Sequence, residues 1–255
     1  SLAEIMFRRG YSVSGSDMQE SHYTEHLSSL GIPCYIGQKK ENIVNAAPDI
    51  IIKTDAISDT NPEIKAAEEN NIPVFRRAWL LDGYKKTIGI AGTHGKTTTS
   101  SMITSILMEG VERPSAIIGG QMKRINSGFL LGDDDVCAFE SCEYKESYLN
   151  FHPDISVITN IAEDHMEYFK TLDNLLESFR KYLDNTKSGG TVVINAENEN
   201  TRKMLSLRPY EGQIVTFGFG HGDFHAENLS CDCGLYDFDV IDENRKERTH
   251  IKLSV

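Results

Sequence analysis

The run Ile88-Gly89-Ile90-Ala91-Gly92-Thr93-His94-Gly95-Lys96-Thr97-Thr98-Thr99 constrains this chain more than any other stretch, because it reads as an apolar strand passing through a glycine loop straight into a helix. Gly92 and Gly95 let backbone N–H groups approach an anion closely, and the helix that starts near Thr97 adds its positive dipole end. Lys96 can reach terminal phosphates, and the Thr97 hydroxyl can ligate a divalent cation such as Mg²⁺. The loop is shorter than the usual phosphate loop, since Ile90 stands where the first glycine should be. A Gly-Lys-Thr string can also be a plain helix cap. Here strand, loop and helix follow one another in the order an anion cradle needs.

Composition narrows the function classes. The chain has 255 residues and a formal charge of -12, which argues against general nucleic-acid binding, where Lys and Arg must neutralise many phosphates. No apolar run approaches the ~18 residues that a membrane helix needs, so no membrane partner is expected. The five cysteines are odd in number and scattered, which suits a reducing cytoplasm better than a disulfide framework. Cys231 and Cys233 are too close and too isolated to make a zinc site. The sequence leaves the oligomeric state open.

The pattern along the chain predicts two α/β domains. In the first, residues 1–86, Leu2, Ile5 and Met6 share a helical face that Gly10 can cap, and Tyr11 to Asp17 reads as a strand ending in an acid. This is the second half of a βαβ unit, in which the acid commonly meets ribose hydroxyls; Asp17 taken alone is also a turn former. Strands at 50–54 and 73–75, a helix from Pro62 to Asn70 and another beginning at Arg76-Arg77 continue a parallel, Rossmann-like alternation. The segment from Leu80 to Lys86 reads as the boundary.

In the second domain, residues 87–255, helices are expected at 97–108, 172–183 and 197–205. Strands are expected at 116–118, 136–139, 155–159, 191–194 and 214–217. Beyond Gly218 short alternating segments at 224–229, 235–241 and 250–253 predict antiparallel strands added to the edge of a mostly parallel sheet. Ligands gather at the carboxyl ends of parallel strands. The loop 93–97, Glu140 after the strand at 136–139, and His165 shortly after the strand at 155–159 all fall at such ends. Glu140 and His165 are therefore candidate metal-holding groups, although Mg²⁺ prefers oxygen ligands and a solvated loop histidine is an equally ordinary reading. Asp164 could orient His165, Glu143 and Glu146 read as residues of a helix face, and the role of His94 stays open.

The string from Ala91 to Thr99, the segment Thr159-Asn160-Ile161-Ala162-Glu163-Asp164-His165-Met166 and the segment Phe139 to Tyr144 are similar to those of the Mur ligases, ATP-dependent amide-forming enzymes of peptidoglycan synthesis. Within that family they resemble the branch that joins L-alanine to UDP-N-acetylmuramate. The resemblance implies an N-terminal UDP-sugar-binding domain and a central ATP-binding domain. It implies ATP contacts at Gly92, Thr93, His94, Gly95, Lys96, Thr97, Thr98 and Asn160. A Mg²⁺ ion would be held by Thr97, Glu140 and His165, with Lys96, Glu140 and His165 as the catalytic set. UDP-sugar contacts would map to Asp17, Thr54, Ala56 and Arg77. Asp55 and Gln38 depart from the family, which usually carries a small neutral residue and a histidine there. Another Mur-type ligase, one recycling murein tripeptide or a folylpolyglutamate synthetase relative, remains an alternative, as does a non-ligating nucleotide-binding protein on the same scaffold.

In these ligases a strand and glycine loop precede the first helix, and further adenine contacts and a third domain follow the central sheet. The resemblance thus implies that these 255 residues are a fragment that binds UDP-sugar weakly and does not ligate alanine by itself. The expected outcome of a coupled phosphate-release assay on this polypeptide is no substrate-dependent turnover.

Overall fold

The computed structural model describes residues 2–54, 57–81, 83–110, 113–133 and 135–254. The chain divides into two compact units, Ser1–Gly83 and Tyr84–Val255.

The first unit alternates helix and strand: α1 (Leu2–Arg8), β1 (Gly15–Asp17), α2 (His22–Ser29), β2 (Cys34–Ile36), α3 (Lys40–Ala46), β3 (Ile51–Lys53), α4 (Pro62–Glu69) and β4 (Val74–Arg76). The expected parallel pairing is present, but as two two-stranded sheets, β1–β2 and β3–β4, rather than one. The strands are three residues each, too short to bury much apolar surface, so polar contacts join the pieces. Glu63, nearly buried at the start of α4, accepts from Ser16 Oγ at 2.7 Å and from Asn42 Nδ2 at 2.7 Å. Where a full helix was expected from Arg76, one 3₁₀ segment spans Arg77–Leu81.

The second unit is built on a ten-stranded sheet in the order β14-β13-β12-β11-β10-β9-β5-β8-β6-β7. Its strands are β5 (Lys86–Ala91), β6 (Ser115–Met122), β7 (Ser127–Leu130), β8 (Val136–Glu140), β9 (Ile155–Ile158), β10 (Thr191–Asn195), β11 (Gln213–Phe219), β12 (Phe224–Asp232), β13 (Leu235–Asp242) and β14 (Glu247–Ser254). The helices are α5 (Lys96–Gly110), α6 (Met166–Phe169), α7 (Leu172–Asp184) and α8 (Glu199–Ser206). From β12 through to β6 all neighbours run parallel, whereas β13 and β14 continue antiparallel beyond β12. The anticipated antiparallel edge is thus present, and a second one, β7 against β6, lies at the opposite margin where the sequence pattern gave no strand.

The central strands are continuous apolar runs because helices cover both faces of a parallel sheet. On one face α7 places Leu175, Leu176, Phe179, Tyr182 and Leu183 into the main core, joined by Ile158, Val192 and Ile194. Thr171 caps α7 by accepting from Asn174 N at 3.2 Å. Arg180 of α7 is fully buried, and its guanidinium donates to the carbonyls of Arg208 and Pro209 at 2.7 Å each. On the other face α5 presents small hydroxyl residues, with Ser100 and Thr104 buried and Thr104 Oγ1 donating back to Ser100 O at 2.7 Å.

At the amino ends of the central strands Asp154 joins β5 to β9. Its Oδ2 accepts from Thr87 N at 2.7 Å, Thr87 Oγ1 at 2.8 Å and Lys187 Nζ at 3.0 Å. Burial works against ionisation, but the Lys187 ammonium and the Thr87 donors outweigh it and hold the carboxyl below its ordinary value. A depressed folded-state pKa contributes stability that is present above the unfolded value near 3.9 and is lost as pH falls through the folded value. Asp154→Ala is expected to lower unfolding stability at neutral pH by roughly 1.5–3 kcal/mol. In urea titrations at neutral pH and at pH below about 4, the difference from wild type should shrink at the acid end.

Candidate functional site

Three chain segments meet where β5, β8 and β9 end. The pairing Ile90↔Glu140 carries Glu140 to the last rung of β8, and Ala91↔Ile158 places Thr159 and Asn160 just beyond β9, level with the start of the loop. The loop is stitched to the second of these segments. Thr93 N donates to Asn160 O at 2.9 Å, His94 N donates to Asn160 Oδ1 at 3.1 Å, and Asn160 Nδ2 donates to His94 O at 2.9 Å. Thr93 Oγ1 accepts from Ala162 N at 2.9 Å and donates to Ala162 O at 3.1 Å. Asn198, the cap of α8, accepts from Thr201 N at 2.9 Å and from Ile161 N at 3.2 Å, so that helix is fastened to the same segment.

Gly92 is required by close approach. Its φ is +131°, and a Cβ there would stand 2.1 Å from Thr159 Oγ1 and 3.0 Å from the Thr159 nitrogen. Gly89, within β5, makes room for the Tyr182 hydroxyl, which a Cβ would approach to 2.5 Å. That hydroxyl donates to Ser141 Oγ at 3.1 Å, directly after Glu140. Burial pushes the Tyr182 phenol far above its ordinary value, so it acts as a neutral hydrogen-bond donor.

Thr97 and Glu140 come together, with Thr97 Oγ1 at 3.3 Å from Glu140 Oε2. The other carboxylate oxygen accepts from Gly119 N at 2.6 Å and from Ser100 Oγ at 3.0 Å, which fixes its direction. Lys96 meets a different acid. Its ammonium donates to Gly92 O at 2.6 Å, Thr93 O at 3.3 Å and Glu143 Oε1 at 3.1 Å. Glu143 is 2% exposed; its Oε2 lies 3.0 Å from Lys96 Nζ, in ion-pair contact but outside hydrogen-bond geometry. His165, with φ +52°, stands 4.0 Å from Glu143 Oε1 through Nε2, and its backbone N–H donates to Asp164 Oδ1 at 2.7 Å. Among the described residues, Glu143, Asp164 and His165 form a cluster of potential metal ligands with their ligand atoms within 4.8 Å of one another.

Glu143 is the residue that sequence reasoning misplaced. A helix face was expected for Glu143 and Glu146, whereas the chain makes a kinked 3₁₀ segment over Tyr144–Asn150 with Lys145 and Glu146 in left-handed backbone. That turn folds Glu143 inward beneath Lys96. The available signal was its position three residues after Glu140 in a segment leaving a central strand. The outward side carries Tyr144, whose ring centre is 4.8 Å from that of His165, and Tyr168, whose hydroxyl lies 3.3 Å from Glu146 Oε2. Desolvation, then the Glu146 charge, hold the Tyr168 phenol above its ordinary value.

Gly95 and Thr98 lie at the turn into α5, and the His94 side chain is exposed. In the first unit Asp17 ends β1, and Thr54 and Arg77 directly follow the paired residues Lys53 and Arg76, so both leave the same end of the β3–β4 sheet. All three are exposed. Ala56 and the departure at Asp55 lie outside the described residues. Gln38 accepts from Asn61 Nδ2 at 2.5 Å.

Comparison with known proteins adds to this geometry. Residues 1–84 match the model of the Mur ligase family, catalytic domain, and residues 90–255 that of the Mur ligase middle domain. The chain is 40% identical over 252 residues to a UDP-N-acetylmuramate–L-alanine ligase of Clostridium botulinum, covering 96% of this chain and 54% of that protein. A ligase of the same name from Clostridium tetani is 39% identical over 100% of this chain and 56% of its own length. The chain thus spans about half the length of the curated relatives it matches. The crystal structure of a UDP-N-acetylmuramate-alanine ligase from Thermotoga maritima superposes with a TM-score of 0.79 at 30% identity, over 100% of this chain and 57% of that one.

Gly92→Ala is expected to destabilise the second unit by roughly 1–3 kcal/mol, through overpacking and a φ that side chains rarely adopt. In denaturant unfolding, Gly92→Ala combined with Thr159→Ala, which removes the shortest contact, should recover part of that loss.

Proposed function

This chain belongs to the Mur ligase family, and from that premise we propose that the protein joins L-alanine to the carboxylate of UDP-N-acetylmuramate while cleaving ATP to ADP and phosphate. The reading is carried by the convergence of Lys96, Thr97 and Glu140 at one edge of the sheet, and 40% identity to ligases of that name supports it.

A carboxylate resists attack by an amine because its negative charge repels the nucleophile and oxide is a poor leaving group. Transfer of the γ-phosphoryl group to a carboxylate oxygen gives an acyl phosphate and releases ADP. The alanine amine then forms a bond to the carbonyl carbon, loses a proton, and phosphate departs. Such transfer needs in-line placement and neutralisation of oxygen charge, with no covalent step by the protein. Lys96 and the loop amides from Gly95 to Thr97 supply that neutralisation, and the paired bonds between Asn160 and His94 hold the loop in shape for it.

The donor set suits a hard cation. Glu140 Oε2 and Thr97 Oγ1 are neighbouring oxygens, and Gly119 and Ser100 orient the carboxylate from its other side. When bound, Mg²⁺ would neutralise charge on the phosphate oxygens. Thr97, Glu140 and His165 are the residues that would hold it. Asp17, Thr54, Ala56 and Arg77 are assigned to the UDP-sugar, and ATP and a nucleotide sugar as substrates put the reaction in the cytoplasm. No helix among the described residues is long and apolar enough to cross a membrane.

In the full-length protein carrying this sequence, Lys96→Ala and Glu140→Gln should each lower kcat by roughly 100-fold or more. The measurement is phosphate release dependent on ATP, UDP-N-acetylmuramate and L-alanine together. Turnover at the wild-type rate in either variant would overturn the assignment.

A further inference from the structure

An ammonium has three N–H donors. Those of Lys96 are all committed, to Gly92 O, Thr93 O and Glu143 Oε1. A phosphate oxygen can be bound by Lys96 if one of these partners gives way. The two carbonyls belong to the loop itself and cannot leave without reshaping it. Glu143 is the charged partner, it is 2% exposed, and its like charge would repel an arriving phosphate. Once Lys96 turns away, the buried carboxylate cannot stay uncompensated without cost. The next nitrogen within reach is His165 Nε2, 4.0 Å from Glu143 Oε1. Asp164 Oδ2 lies 3.9 Å from the same nitrogen, and Glu167 Oε1 lies 3.5 Å from Nδ1 on the other side of the ring.

We propose that Glu143 is a positioning residue that stands in for phosphate. It holds Lys96 while the loop carries no nucleotide, and when nucleotide binds it passes from Lys96 to His165, fixing the imidazole at the strand end. Nucleotide binding and the placement of His165 are thereby coupled through one buried carboxylate. The proposal rests on the ligase reading above, since it takes the arriving anion to be the phosphate chain of ATP. It explains why a glutamate rather than an apolar residue fills a buried position beneath the loop, and why the backbone tolerates left-handed Lys145 and Glu146 immediately afterwards to keep it there.

The test uses the full-length protein with Glu143→Gln, which keeps shape and removes charge. ATP affinity is read by calorimetry, and KM for ATP and kcat from phosphate release. Removing the competing carboxylate should tighten ATP binding by roughly 5-fold or more, the scale of coupling between linked sites. Loss of the hand-over should lower kcat at the same time, so KM and kcat fall together. A residue that merely supported the fold would weaken ATP binding instead. Glu143→Asp keeps the charge but draws it back by one methylene, and should move both quantities in the same direction by less. If Glu143→Gln gives no cooperative melt, Glu143→Asp decides on the sign of its affinity change. Unchanged or weaker ATP binding by the variant, with wild type binding ATP normally, overturns the role of Glu143. Failure of wild type to bind ATP would instead overturn the ligase reading itself.

Discussion

The parallel pairing of β5 between β8 and β9 is the constraint from which the rest of the second unit follows. Parallel strands end at the same edge, so the register Ile90↔Glu140 and Ala91↔Ile158 delivers three chain segments, far apart in sequence, to one place. Slipping β8 by a single residue would turn Glu140 to the opposite face of the sheet. Register is protected by burial, since Ile90, Ala91, Ala138, Phe139 and Ile158 are nearly inaccessible on both faces. At the opposite ends of β5 and β9 the Thr87–Asp154 bonds pin the pair a second time.

Polar groups are buried beneath the site in an ordered way. Tyr182 reaches through the space that Gly89 leaves open to bond Ser141, and Tyr148 stacks on Tyr182 at 4.8 Å and donates to Ser178 at 2.9 Å. These hydroxyls tie the segment that carries Glu140 and Glu143 to α7. Buried hydrogen bonds of this kind add direction where apolar packing gives only volume. Ser100 does the same for α5, joining the helix to Glu140 rather than to a strand backbone.

Much of this was legible from the residues because the informative ones sit at the ends of strongly apolar strands. Lys96, Thr97 and Glu140 each follow directly from an element whose pattern is unambiguous, and the long amphipathic α7 was readable to within a residue. The rest failed for identifiable reasons. Glu143 and Glu146 lie at helical spacing from residues around them, but left-handed Lys145 and Glu146 break the helix, and neither is a residue from which such backbone is expected. The strand β7 is four half-buried residues including Ser127 and Gly128, with no alternation to betray it. In the first unit, strands of three residues carry too little pattern to say whether they join one sheet or two. The roles given to Asp17, Thr54 and Arg77 came from family resemblance alone, because surface polar residues after short strands look alike whatever they bind.

The cap at Asn198 has an implication beyond α8. One carboxamide oxygen serves both the first turn of that helix and the amide of Ile161, and Asn200 Nδ2 returns a bond to Ile161 O at 3.0 Å. Fraying of a peripheral helix would therefore be transmitted as slack in the Asn160 stretch, and so in the glycine turn that Asn160 braces. A helix that buries only Thr201 and Met204 thus shares its mechanical fate with a tightly packed turn, and drift at its cap is limited by the segment that the cap holds.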